Sequence, residues 1–255
     1  MNIEYLGQSG LKIKHKNLNI LIDPYLSNSV QELDSKDLVR QVPISYKPEG
    51  LKNINWILIT HEHIDHCDPY TIPKLAALNP EVNFIGPLKV RKKLESWGIN
   101  KSKILPLKNT NIDLGHNIKV NFVPCAHPEL KIEEDGFPEC IGWIFEKDNI
   151  KIYSAGDTCV FDEIFSFFKE IPRIDIGILP VNEDNFFRRR RGIIGNMSIR
   201  EAFEMADELN IKNVFPVHWD MFKVNSAIPE EIKIIYNSYD WKFKLLMDLS
   251  EFKIN

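Results

Sequence analysis

The chain has 255 residues, 44% of them hydrophobic and 27% charged, with 32 Lys plus Arg against 36 Asp plus Glu and a formal net charge of −4. This composition fits an ordinary globular protein and excludes intrinsic disorder, collagen-like repeats and a disulfide scaffold. No apolar run approaches the ~18–20 residues that span a bilayer, and the mild acidity argues against a dedicated nucleic-acid binder, Arg188-Arg189-Arg190-Arg191 being a local exception. No basic and apolar leader opens the chain, so the expected setting is the cytoplasm, with Cys67, Cys125, Cys140 and Cys159 as reduced thiols.

In chain order, strands are predicted at Ile3 to Leu6, at Leu11 to Lys14 in strict alternation, and at Leu18 to Ile22, which Asp23-Pro24 terminates. Residues 27 to 53 are polar, carry Pro43 and Pro48, and read as a long surface excursion of the kind that serves as a lid. Trp56 to Ile59 reads as a strand buried on both faces. Asp68 as N-cap and Pro69 as first helical residue predict a helix through Tyr70 to Leu78. A strand at Val82 to Ile85, a helix at Leu88 to Trp97 and an alternating strand at Ile118 to Val123 follow. The second half repeats this pattern, with strands at Ile141 to Phe145, Ile150 to Tyr153, Ile174 to Leu179 and Val214 to Val217. Helices fall at Phe161 to Phe168 and at Ser198 to Leu209, the latter opened by a Ser198/Glu201 capping box. With no linker-like stretch, this grammar predicts an α/β (α+β) fold of two packed sheets with helices outside, in one domain over 1–255.

Five of the seven histidines fall in three segments directly after predicted strands. Thr60-His61-Glu62-His63-Ile64-Asp65-His66 crowds three imidazoles and a carboxylate into six residues. Without an ion such crowding depresses the imidazole pKa values and costs stability, whereas neutral imidazole is the commonest metal ligand. If the segment is extended, His61 and His63 point the same way and grip one ion while Asp65 and His66 turn to a neighbouring position. Val123-Pro124-Cys125-Ala126-His127, Ala155-Gly156-Asp157 and Pro216-Val217-His218 each deliver one more donor. Taken singly, these would be turn residues. Together they supply His61, His63 and His127 for one ion and Asp65, His66 and His218 for a second, with Asp157 free to bridge.

The H-x-H-x-D-H run with later His, Asp and His resembles the metallo-β-lactamase superfamily, over nearly the whole chain. The branch containing ascorbate-6-phosphate lactonase and N-acyl phosphatidylethanolamine phospholipase D is the most similar. Leu21 to Ser27, Phe84 to Pro87, Ser154 to Thr158, Asn196-Met197-Ser198 and Pro216 to Asp220 carry that likeness. The resemblance implies a four-layer αββα sandwich with the metals where the two sheets meet, and it places Asp23 beneath them.

Such a site binds one or two divalent ions, Zn²⁺ or Mn²⁺ ahead of Fe²⁺, and lowers the pKa of water from ~16 toward ~7 for attack on carbonyl or phosphorus. Asp157 would fix the ion spacing. Asp65 and His218 would join it in catalysis, Asp65 orienting the nucleophile or passing a proton to the leaving group. The expected activity is hydrolysis of a small anionic substrate, a lactone or ester of a sugar or sugar phosphate, with one of Arg188 to Arg191 on the anion. A phosphodiesterase or phospholipase is the alternative enzyme, and a non-catalytic metal-binding regulator is the alternative of another class. The pattern implies neither nucleic-acid partners nor stable membrane insertion, and homo-oligomerisation stays open.

Overall fold

A computed structural model describes residues 1–252 except 109 and 172. One sheet has six strands in the order β1 (Asn2–Gly7), β2 (Gly10–His15), β3 (Leu18–Ile22), β4 (Trp56–Leu58), β5 (Asn83–Ile85) and β6 (Ile104–Leu105). The other has seven: β7 (Ile112–Gly115), β8 (Ile118–Pro124), β9 (Ile141–Lys147), β10 (Ile150–Ser154), β11 (Ile176–Pro180), β12 (Asn213–Val217) and β13 (Lys244–Leu245), ordered from β13 to β7. The helices are α1 (Ser29–Leu33), α2 (Ile72–Leu78), α3 (Leu88–Ser96), α4 (Asp162–Phe168), α5 (Phe186–Arg189), α6 (Ile199–Glu208) and α7 (Pro229–Asn237).

The two-residue period of the strands explains the layers. Ile20 and Ile22 of β3, Leu58 of β4, and Trp143 and Phe145 of β9 point into a core between the sheets. Their neighbours Leu21 and Ile57 face outward beneath Ile72 and Leu75 of α2 and Val90 and Leu94 of α3. Ile144 and Tyr153 of the second sheet lie under Ile164 of α4, Ala202 and Phe203 of α6 and Ile232 of α7. Strands covered on both faces must be apolar, as β4 is throughout and β3 is over Ile20 to Ile22. The antiparallel β1–β2 hairpin can leave one face to water, so Lys12 there pairs across the register with Glu4 at 3.1 Å. The result is the expected αββα sandwich.

The capping box is present, with Glu201 N donating to Ser198 Oγ and Ser198 N donating to Glu201 Oε2. The helix predicted from Tyr70 instead starts at Ile72, and neither Asp68 nor Pro69 opens it. The Asp68 carboxylate accepts from Tyr70 N as a cap would, but also from Ser27 Oγ, Ser29 Oγ, Leu26 N and Thr71 Oγ1, so it ties the 26–29 loop to the turn that precedes α2. The excursion over 27 to 53 carries α1. It packs through Val30 and Leu38 against Met221 and Phe222 beyond β12. Of the phenylalanines at and within α4, Phe168 is buried in this core, and Phe161, Phe165 and Phe167 are half-buried against it. Among the described residues no helix is long and apolar enough to cross a membrane.

Candidate metal centre

The chemistry-bearing side chains lie at the carboxyl ends of β3, β4, β8, β10 and β12, where open α/β sheets place their ligands. Asp23, after β3, adopts φ +43 and turns its carboxylate under the next loop. There it accepts from Thr60 N at 2.8 Å and Thr60 Oγ1 at 2.6 Å, and lies 2.8 Å from His66 Nδ1. The 60–66 run is not extended, as the sequence had suggested. His66 N and Cys67 N both donate to His63 O, forming a turn that carries His66 back beneath His61. After β10, Gly156 has φ +62, and a Cβ there would meet Ile141 O at 2.8 Å and Thr60 Cγ2 at 2.9 Å. Only glycine lets that loop deliver Asp157 between the sheets.

All seven predicted donors converge. His61 Nε2 lies 3.0 Å from His63 Nδ1, and His127 Nε2 lies 3.3 Å from the same atom. Asp65 Oδ2 is 3.6 Å from His66 Nε2 and 3.3 Å from His218 Nε2. Asp157 stands between the trios, with Oδ1 at 3.2 Å from His66 Nε2 and Oδ2 at 3.2 Å from His218 Nε2 and 3.6 Å from His127 Nε2. Each trio, His61/His63/His127 and Asp65/His66/His218, could hold one ion. The donor set suits divalent cations, and the buried His66 Nε2 and Asp157 Oδ1 face each other at 3.2 Å with neither making a well-formed hydrogen bond, as expected of atoms that turn toward a metal.

Electrostatics separate the two trios. Burial and neighbouring imidazoles hold His61 well below the ordinary histidine value, and burial takes His127 down to about 4. These rings are therefore neutral and ready to donate lone pairs. Burial also disfavours protonation of His66 and His218. There, however, Asp157 and Asp65, joined by Asp23 at His66, overcome it and raise His66 well above the usual range and His218 to about 9. Burial opposes ionisation of Asp157, but His218 and His66 pull its pKa well below normal, and Asp65 is depressed by the same pair.

A cavity of about 610 Å³ opens onto this cluster. Leu38, Ile193 and Phe222 give it an apolar wall, and Arg191 and Lys93 contribute cations. Lys93 is neutralised by Glu62 at 3.3 Å. In the arginine run, Arg188 donates to Glu183 O and Ser226 O, Arg189 pairs with Asp184 at 2.8 Å, and Arg190 lies over the Phe186 ring. Arg191 is exposed, lines the cavity and has no side-chain partner among the described residues. Trp219 lies outside the cavity and packs against the α4–α6 core.

Sequence reasoning missed Gln8. This residue follows the β1 strand with φ +60 and is buried to 1% exposure. Its Nε2 donates to Asp65 Oδ2 at 2.6 Å and sits 2.9 Å from His218 Nε2, while its backbone oxygen accepts from His218 N. A single glutamine in a Gly-Gln-Ser-Gly turn carries no motif, so nothing in the sequence singled it out.

Comparison with known proteins agrees with this geometry. Residues 18–219 match the family described as Beta-lactamase superfamily domain. The chain is similar to a UPF0173 metal-dependent hydrolase of Nanoarchaeum equitans, 30% identical over 241 residues (91% of this chain, 90% of the relative). It is 29% identical over 240 residues to one from Pyrococcus furiosus, covering 91% of each. Its fold is similar to a solved metallo hydrolase of Ignicoccus hospitalis, with TM-score 0.67 and 22% identity over 96% of this chain and 93% of that one. The chain thus belongs to the β-lactamase superfamily and its UPF0173 group, as a metal-dependent hydrolase of the metallo-β-lactamase fold.

Proposed function

We propose that the chain works as one domain over 1–255 and hydrolyses a small anionic lactone or ester, with a sugar or sugar-phosphate framework as the leading class. The reading also assigns it to the lactonase-like branch of the superfamily. The supporting observation is a single cavity that joins both donor trios to an unpaired cation, Arg191.

In this reading His61, His63 and His127 would hold one divalent ion and Asp65, His66 and His218 another, with Asp157 within reach of both trios. The three-imidazole trio favours Zn²⁺, and the carboxylate-bearing trio accepts Mn²⁺ equally well. When bound, the ions supply Lewis acidity toward water and toward the electrophilic centre of the substrate. Asp65 Oδ2 is engaged by Gln8 and close to His218, which leaves Oδ1 as the oxygen that orients the attacking water and takes its proton. That proton then reaches the leaving group. Asp157 keeps the trios at fixed separation, and Arg191 draws the substrate anion to the cavity mouth. The free Cys125 and Cys140, neighbours where β8 ends and β9 begins with Cys125 N donating to Cys140 O, suit a reducing compartment, and the cytoplasm is the proposed location.

The test is to purify the protein, count its metals by emission spectroscopy, and compare turnover of simple lactones, 4-nitrophenyl acetate and bis(4-nitrophenyl) phosphate. The expected result is one to two ions per chain and a preference for lactone or carboxylic ester. Preference for the phosphodiester would replace this reading with the phosphodiesterase one. Full metal content with no turnover would favour a binding role.

A further inference from the structure

Three asparagines on separate segments form a buried ladder that ends at the cavity. Asn182 follows β11, Asn196 precedes α6, and Asn225 closes the single turn at Lys223–Asn225 after β12. Asn196 Nδ2 donates to Asn182 Oδ1 at 2.8 Å, and Asn182 Nδ2 donates to Asn225 Oδ1 at 3.1 Å. Their exposures are 1%, 0% and 7%. The backbone is built to hold them. Asp184 N donates to Asn196 O, Asn225 N donates to Phe222 O, and a Cβ at Gly195 would lie 2.4 Å from Asp184 Cα, so only glycine permits that approach.

Burying three primary amides is costly unless their polar atoms are used. Asn182 uses both ends, so the orientation of one amide dictates the next. At the inner end, Asn196 Oδ1 is buried without a partner. An under-satisfied carbonyl costs less than an orphaned N–H, which favours this polarity over its reverse. At the outer end Asn225 Oδ1 is consumed, and Asn225 lines the cavity with Asp65, Arg191 and His218. Its Nδ2 is the amide atom left for a ligand.

We infer that Asn225 Nδ2 is a pre-oriented donor for an anionic or carbonyl oxygen of the substrate, with Asn182 and Asn196 as positioning residues that forbid the amide from flipping. This inference rests on the cavity being the substrate site. Fixing the amide in advance removes the rotamer cost of recruiting a donor on binding. A carbonyl oxygen gaining charge during attack is the kind of acceptor that a fixed N–H serves best.

The test uses metal-loaded protein labelled with ¹⁵N-asparagine, titrated with acetate and, separately, inorganic phosphate. One side-chain amide signal, absent in Asn225→Ala, should shift saturably with at least one anion, and the more effective anion names the acceptor class. Asn225→Ala should bind that anion roughly tenfold more weakly, the loss of about one good hydrogen bond. Asn182→Asp does not touch the cavity. Its carboxylate accepts from both neighbours, turns the Asn225 amide around, and should lose affinity to the same degree at unchanged metal content. If Asn182→Asp does not fold, Asn225→Asp, which presents an acceptor in place of the donor, should weaken binding further than Asn225→Ala. An unmoved Asn225 signal, or unchanged affinity in Asn225→Ala, overturns the inference. Either result with normal metal content spares the proposed function, whereas metal-free protein under saturating Zn²⁺ or Mn²⁺ would remove both.

Discussion

The two trios that meet at Asp157 differ in charge and in support. His61, His63 and His127 are three imidazoles; Thr60 Oγ1 lies 3.1 Å from His61 Nδ1, and His127 Nδ1, like His218 Nδ1 of the other trio, has no hydrogen-bond partner. Asp65, His66 and His218 include a carboxylate; Asp23 backs the Nδ1 of His66, and the Gln8 amide sits against Asp65 Oδ2 and His218 Nε2. A carboxylate hydrogen-bonded to a ligand histidine fixes its tautomer and strengthens it as a donor. The comparison teaches that one trio carries a carboxylate and a carboxylate-backed histidine while the other is a cup of imidazoles alone. The Asp65 trio should therefore fill first and empty last.

The most severe way to break this distinction is Asp157→Ala, which removes the carboxylate common to both trios. Both ions should be lost and turnover should fall to the buffer rate with the fold retained, as checked by metal analysis and circular dichroism. Asp23→Ala should blunt the contrast by weakening metal affinity at the Asp65 trio by about 10–100-fold and leaving the other largely unchanged, which chelator competition resolves as two steps drawing together. Gln8→Leu removes the amide donor to Asp65 but not the backbone contact to His218. A loss of roughly tenfold at the same trio is expected, at the lower end of such effects.

The smallest effect concerns the metal-free protein, where the trios should respond to pH with opposite signs. His127 has its pKa lowered to about 4 from the usual 6.5. The unfolded chain takes up that proton more readily, so the stability it contributes is present above 6.5 and lost as pH falls toward 4. His218 is raised to about 9, so its contribution is present below 6.5 and lost as pH rises through 9. Thermal unfolding of apoprotein should peak near pH 6.5. His127→Asn should flatten the acid flank and His218→Asn the alkaline one. Identical flattening of both flanks by either variant would show that the trios do not titrate separately.

Much of this was legible because metal ligation and strand burial leave local patterns. Three imidazoles in six residues, and single donors directly after apolar runs, are recognisable without coordinates. Asp68 shows the limit. Its position before Pro69 satisfies the statistics of a helix start, but Ser27 and Ser29, some forty residues earlier, claim its carboxylate. Gln8, Asn182 and Asn225 were invisible for a related reason. Each acts through partners distant in sequence, and glutamine or asparagine in a turn is normally read as turn chemistry. The two-residue β6 and β13 carry too little periodicity to detect. α7, with Pro229 in its first turn and Ile232 facing the core, did carry a readable signal.

Neither trio can be assembled from one sheet. The 61–66 loop leaves the first, while His127, Asp157 and His218 leave the second, and each cup needs members of both. A chain emerging from the ribosome therefore completes neither cup until the two sheets have closed on each other, with β8 in place for one and β12 for the other. Competence to hydrolyse is thereby tied to completion of folding.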